Sequence, residues 1–198
     1  ETQELISRHF LYFDKVMDYS FSPDGLKFVM SAVRNGKSDI YVFTLASGTF
    51  EQLTNDYADD RYPKFSNGER YIVFSSNRSS DTLSTESNTK HLGKYMQLYL
   101  YSYSDRNNVL MKICESKKAN NIQASSWQTD RYVFLSDASG IINRYLSQFD
   151  SSISFIDTAI HYRYFTATYP VTNYNSSIIE QDINTAANTE TEILFKKG

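Results

Sequence analysis

Phe21-Ser22-Pro23-Asp24-Gly25 returns in altered form as Phe65-Ser66-Asn67-Gly68, and an apolar run follows each copy. The runs are Leu26-Lys27-Phe28-Val29-Met30 and Tyr71-Ile72-Val73-Phe74. A repeat spacing in the forties, with an Asp-Gly or Asn-Gly turn between β-rich runs, is the sequence pattern of stacked four-stranded sheets. Such units cannot cover their own faces, so each copy must pack on a neighbour.

The first copy divides at its turns. Asp24-Gly25, Asn35-Gly36 and Ser47-Gly48 are turn sequences, because Gly reaches the positive φ that tight hairpins require. They separate expected strands at 16–22, 26–33, 38–45 and 49–54. The third, Ser38 to Leu45, is rich in β-branched and aromatic residues and apolar at odd and even positions alike. That pattern predicts a strand buried on both faces. No stretch keeps a helical stripe.

Later copies are looser. In the second, strands are expected at 61–66 and 69–75, and the next waits until Met96–Tyr103. The polar stretch Ser79–Lys94 between them reads as a loop inserted in the repeat. With that insertion set aside, Trp127 takes the place of Phe21 and Phe65, and Asp130 the place of Asp24. Strands follow at Tyr132–Leu135 and Ile141–Leu146. Tyr169 is read as the opening of a fourth copy, with Ser177–Glu180 and Glu192–Phe195 as its strands.

Phe21-Ser22-Pro23-Asp24-Gly25, the apolar strand after it, Ser38-Asp39-Ile40-Tyr41-Val42 and Glu51-Gln52-Leu53-Thr54-Asn55 together resemble the PD40 (WD40-like) repeat of TolB-like β-propellers. Similar blades occur in prolyl-oligopeptidase, dipeptidyl-peptidase and tricorn-type proteases. The likeness is close over 16–56, fair over 57–78 and 95–115, and weak from 116 onward. It implies an all-β fold, a β-propeller of about four four-stranded blades with the last incomplete, whether a small ring or part of a longer one. The expected blades of this single 1–198 segment are 16–56, 57–115, 116–156 and 157–198. The short run Phe10-Leu11-Tyr12-Phe13 before the first blade reads as an outer strand of a preceding blade or a ring-closing strand.

Composition fits this reading. Sixteen Tyr and thirteen Phe among 198 residues supply large rings for packing between sheets. Net charge is −3 and the basic residues are scattered, which gives no footprint for nucleic acid. No apolar run is long enough to span a bilayer as a helix. Cys114 is the only cysteine, so no internal disulfide forms, and its apolar surroundings predict a core position.

Chemistry-bearing motifs are scarce. His9, His91 and His161 lie in separate regions without metal-ligand spacing, and no HExxH, paired CxxC, phosphate loop or GxSxG elbow occurs. No catalytic residue, metal or cofactor is expected. The best candidate site is the acidic stretch containing Asp56, Asp59, Asp60 and Arg61, whose carboxylates have the chemistry to grip a cation or flank a glycosidic bond. The bland alternative is a blade-to-blade connection anchored by an Asp-Arg pair. An EF-hand-type calcium loop would need alternating ligands and a sharp Gly turn, and neither is present. The 79–94 insertion is a second candidate, against a solvated loop. The Tyr99/Tyr101/Tyr103 stripe reads as packing rather than a stacking platform, and Tyr162, Tyr164 and Phe165 invite the same reading.

The resemblance implies a non-catalytic propeller that binds protein or peptide, periplasmic or in the bacterial cell envelope, without membrane insertion. The alternative is the propeller portion of a larger peptidase or hydrolase, where it filters or positions substrate beside other domains of the parent chain.

Overall fold

The computed structural model describes residues 12–83, 92–114, 116, 118–156, 160–185 and 187–196, with the backbone alone over 150–156 and 160–165. His9, His91 and the run Phe10-Leu11 lie outside the described residues, and the side chains of His161, Tyr162, Tyr164 and Phe165 lie outside them too.

The chain is all-β. Strands β1 (Lys15–Phe21), β2 (Lys27–Arg34), β3 (Lys37–Thr44) and β4 (Thr49–Gln52) form one antiparallel meander in the order β1-β2-β3-β4. Strands β5 (Asp60–Ser66), β6 (Tyr71–Arg78), β7 (Leu92–Ser102) and β8 (Met111–Lys112) form the second. The third contains β9 (Asn121–Gln128), β10 (Arg131–Ser136), β11 (Asn143–Ile156) and β12 (Ile160–Pro170), and a hairpin of β13 (Ile178–Asn184) and β14 (Thr189–Leu194) begins a fourth. The fold is a β-propeller segment in which blades are stacked so that β1, β5, β9 and β13 lie side by side as inner strands.

The turns do what their residues require. In the first blade Gly25 sits at φ 70, and Gly25 N–H donates to the Ser22 carbonyl at 2.9 Å. Asp24 Oδ1 accepts from Ser22 Oγ at 2.6 Å and from Leu26 N–H at 2.9 Å, which fixes the exit into β2. Asn67 and Gly68 hold the left-handed region at φ 49 and 63 in the second copy. In the eroded third copy Gln128 pairs directly with Arg131, so Thr129-Asp130 turns without a glycine.

One expected boundary moves. The third blade does not end at 156, because β12 returns beside β11 and Tyr169 pairs with Leu146. Tyr169 is therefore on the outermost strand of blade three, and its aromatic neighbourhood belongs to a long hairpin rather than to a new repeat. Blade four opens at β13.

Packing follows the period of two along each strand. Val29, Ile40 and Val42 of the first sheet meet Ile72, Phe74, Tyr99 and Tyr101 of the second. From the opposite face of that second sheet, Val73, Leu98 and Leu100 meet Ala124, Tyr132 and Phe134 of the third, with Cys114 and Ile113 between them. The middle sheet is thus covered on both sides, which explains the continuous apolar runs. Burying each such large side chain contributes about 1.5–3 kcal/mol. Tyr99 and Tyr101 are buried in this packing and Tyr103 is packed against it. The first part of the insertion pairs with its own blade through a Thr82–Val109 bridge, and Leu83 N–H donates to the Asn108 carbonyl at 2.8 Å. Residues 84–91 of the insertion lie outside the described residues.

Candidate functional site

The acidic stretch between blades one and two folds inward. Asp60 opens β5 and is fully buried. Its two carboxylate oxygens accept from Arg78 Nη2 at 2.8 Å each, and Arg78 Nη1 lies 3.1 Å from Asp56 Oδ2. Arg78 ends β6, and its guanidinium also sits 5.5 Å from the Phe74 ring centre and 5.9 Å from that of Tyr99. Tyr99 Oη donates to the Arg78 carbonyl at 2.8 Å, and Arg78 Nε donates to Ser76 Oγ at 2.9 Å.

Asp39, on β3, adds a third carboxylate. Oxygens of Asp39, Asp56 and Asp60 all lie within 4.8 Å of one another. Asp39 accepts from Gln52 Nε2 at 3.1 Å, and from Thr54 Oγ1 and the Asp56 N–H at 3.4 Å each. Burial and the nearby Asp60 push the Asp39 carboxyl up to about 7. Burial likewise raises Asp60, and the Arg78 charge works against that shift. Burial works to lower Arg78, but Asp60 and Asp56 outweigh it, and Arg78 stays firmly protonated. The cation held by this cluster is a guanidinium of the chain itself.

The sequence candidates are accordingly engaged with one another and with their surroundings. Asp56 and Asp60 grip Arg78. Asp59 takes its N–H to Asn77 Oδ1 at 2.8 Å and its carboxylate to Asn77 Nδ2 at 3.3 Å. Arg61 Nε donates to Asp18 Oδ2 at 2.7 Å, tying β5 to β1. These four residues lock the blade junction. Two carboxylates on one guanidinium are not arranged to flank a glycosidic bond.

An open cleft of about 530 Å³ lies where the inner strands meet. Residues of β1 (Asp18, Tyr19, Phe21), the β5 stretch from Tyr62 to Lys64, Gln123 of β9, and Glu180 to Asp182 of β13 line it. Each inner strand carries a bulge at this level. The register shifts between Val16 and Asp18, between Arg61 and Lys64, between Ile178 and Glu180, and opposite Val133 and Leu135 in β9. A bulge bends the strand and re-aims side chains, and here Tyr62 and Gln123 adopt φ values of 55 and 54.

The backbone groups released by the bulges find side chains. The Tyr62 N–H donates to Asp18 Oδ2 at 3.3 Å, and that oxygen also accepts from Ser31 Oγ. Gln181 Nε2 donates to the Gln123 carbonyl at 3.0 Å, and Gln123 Nε2 to the Ile179 carbonyl at 3.1 Å. Lys64 Nζ donates to Asp182 Oδ1 at 2.8 Å, and this pairing holds the Asp182 carboxyl below its ordinary value. The wall of the cleft is therefore stitched, while its rim is bare. Tyr19 is 66% exposed and Phe21 55% exposed, and their rings meet edge to face at 6.1 Å, with Phe28 5.8 Å from Phe21.

The cleft residues escaped the sequence reading. Phe21 was read only as a repeat marker; its counterpart Phe65 is covered edge to face by Tyr103 at 5.8 Å. Phe21 differs because it belongs to the first inner strand and opens onto the cleft. Lys64 and Glu180 carried no signal beyond being polar residues on strands.

No family model and no curated protein matches the chain. Among solved structures, TolB from Acinetobacter baumannii aligns over 85% of this chain and 35% of its own, with 20% identity and a TM-score of 0.51. A structure from a study of two prolyl endopeptidases aligns over 85% of this chain and 30% of its own, with 11% identity and a TM-score of 0.34. The chain thus spans about a third of the length of the TolB structure and shares its propeller fold.

Proposed function

We propose that this propeller module is non-catalytic and binds an extended protein or peptide segment across the inner-strand cleft, in the bacterial cell envelope. The observation that carries the reading is the exposed pair Tyr19 and Phe21 on the rim of a cleft whose wall is internally hydrogen-bonded. A water-exposed aromatic pair next to a preformed concavity supplies contact area at low ordering cost, which is what recognition of a peptide needs. The envelope setting rests on the likeness of the repeats to TolB-type blades. The acidic junction supports rather than binds, since Asp56 and Asp60 already grip Arg78 and Arg61 already holds Asp18.

A second reading makes the chain the propeller portion of a larger hydrolase. Its support is the same cleft, open and framed by four inner strands, which suits a passage that admits extended peptide and excludes folded protein.

Selection of peptides from a random displayed library tests the first reading. Enriched peptides are expected to perturb amide resonances of β1, β5 and β13, and Tyr19→Ala with Phe21→Ala to abolish binding. Peptides that map to another surface, or binding untouched by that double substitution, would refute it.

A further inference from the structure

Resting on the peptide-binding reading, we infer that the cleft is selective for a basic side chain: a Lys or Arg of an extended peptide seats between the Tyr19–Phe21 rings and the carboxylates of Glu180 and Asp182. The argument is one of charge and geometry. The ionised groups on the lining are Asp18, Lys64, Glu180 and Asp182. Asp18 is matched by Arg61 at 2.7 Å, and Lys64 by Asp182 at 2.8 Å. Glu180 is exposed, and among the described residues no cation lies at ion-pair distance from it. After these pairings cancel, the cleft retains the negative charge of Glu180.

Asp182 extends that charge. Its side chain is 74% exposed even while it holds Lys64, and a carboxylate has acceptor capacity beyond one such pairing, so it can take a further donor. The bulge in β13 produces this arrangement. The register shift between Ile178 and Glu180 leaves Gln181 buried against β9 while Glu180 and Asp182 are exposed on either side of it. Across the cleft the rings of Tyr19, Phe21 and Phe28 form an edge-to-face cluster, with Tyr19 and Phe21 open to water. Aromatic faces opposite carboxylates favour a cation over a neutral or anionic group, and the aliphatic stem of Lys or Arg gives the rings apolar surface to cover. Lys64 is the one opposing charge on the lining, and it competes with the ligand for Asp182. Removing it is expected to strengthen binding, an outcome that a site for an acidic peptide would reverse.

The test uses alanine-based pentapeptides blocked at both ends, with Lys, Gln or Glu at the centre, titrated into the isotopically labelled protein and followed by NMR shifts of β1 and β13 amides. A Gln-centred peptide with a free amino terminus checks whether any amine suffices. The blocked Lys peptide is expected to bind about three- to fivefold more tightly than the blocked Gln peptide, and the Glu peptide most weakly. Glu180→Gln should erase the advantage of the Lys peptide over the Gln peptide, while Lys64→Gln should tighten the Lys peptide about threefold. Glu180 is exposed and Lys64 pairs at the surface, so unaltered melting of both variants serves as the folding control. Equal affinity for Lys and Gln peptides, preference for Glu, an advantage confined to the free terminus, or weakening by Lys64→Gln would each overturn the selectivity while leaving peptide binding intact. Absence of any shift at the cleft with every peptide would overturn both.

Discussion

Arg78→Met separates the structural reading of the acidic junction from any other. Arg78 is 6% exposed and neutralises a fully buried Asp60 through two bonds of 2.8 Å, with Asp56 at 3.1 Å. Met approximates the aliphatic stem but leaves the Asp60 charge buried without a partner. Breaking such a pair from one side costs about 3–5 kcal/mol. For a domain of this size that corresponds to a fall of about 6–20 °C in melting temperature. The cost must depend on pH. Without the guanidinium, the folded-state pKa of Asp60 rises further above its unfolded value, so the folded state binds more protons across that window. Stability of the variant therefore falls as pH rises through the window, and the loss relative to the parent is larger at pH 8 than at pH 5. Chemical denaturation at both pH values measures this. Adding Asp60→Asn to Arg78→Met removes the stranded charge and is expected to recover about half of the loss or more at pH 8. A loss below about 1 kcal/mol, a loss equal at both pH values, or a double variant no better than the single one would refute the junction as a buried charge lock.

Asp39→Asn carries the opposite sign. The Asp39 carboxyl is raised to about 7 from 3.8, so its protonated form stabilises the fold at low pH, and that stability is lost as pH rises from about 4 through 7. Asn removes the titration and is expected to stabilise by about 1–3 kcal/mol at pH 8 with no gain near pH 4, read by denaturation at the two pH values. Gly36→Ala forces a side chain into φ 74 in the β2–β3 turn, where space is open but conformation is not, and should cost about 1–2 kcal/mol in thermal melts. Tyr99→Phe deletes the donor to the Arg78 carbonyl and should cost about 1 kcal/mol by denaturation, without altering the pH dependence, because no charge changes.

Local chemistry fixed much of the architecture before any coordinates. Gly25, Gly36 and Gly48 announced turns because only positive φ closes those hairpins, and all of them adopt it. The doubly apolar run at 38–45 announced a strand covered on both sides, and Asp39 to Phe43 are buried without interruption. Strand pairing beyond the third repeat was not legible. Whether an aromatic-rich run closes one blade or opens the next depends on which neighbour it bonds, and Tyr169 met Leu146.

The candidate site divides along the same line. Charge density at 56–61 was visible in the chain, but Arg78, which Asp56 and Asp60 grip, carried no signal of its own, being one basic residue 18 positions beyond Asp60. Asp18, which Arg61 holds, is distant in sequence and carried no signal. The cleft was invisible for the same reason in stronger form: its lining comes from four strands of four different units, each with ordinary strand alternation. By itself the sequence determined the repeating unit, because turns and alternation are properties of neighbouring residues. The tertiary structure alone decided which charges cancel and which rings stay bare, because both depend on bulges that re-aim inner-strand side chains against residues of other blades.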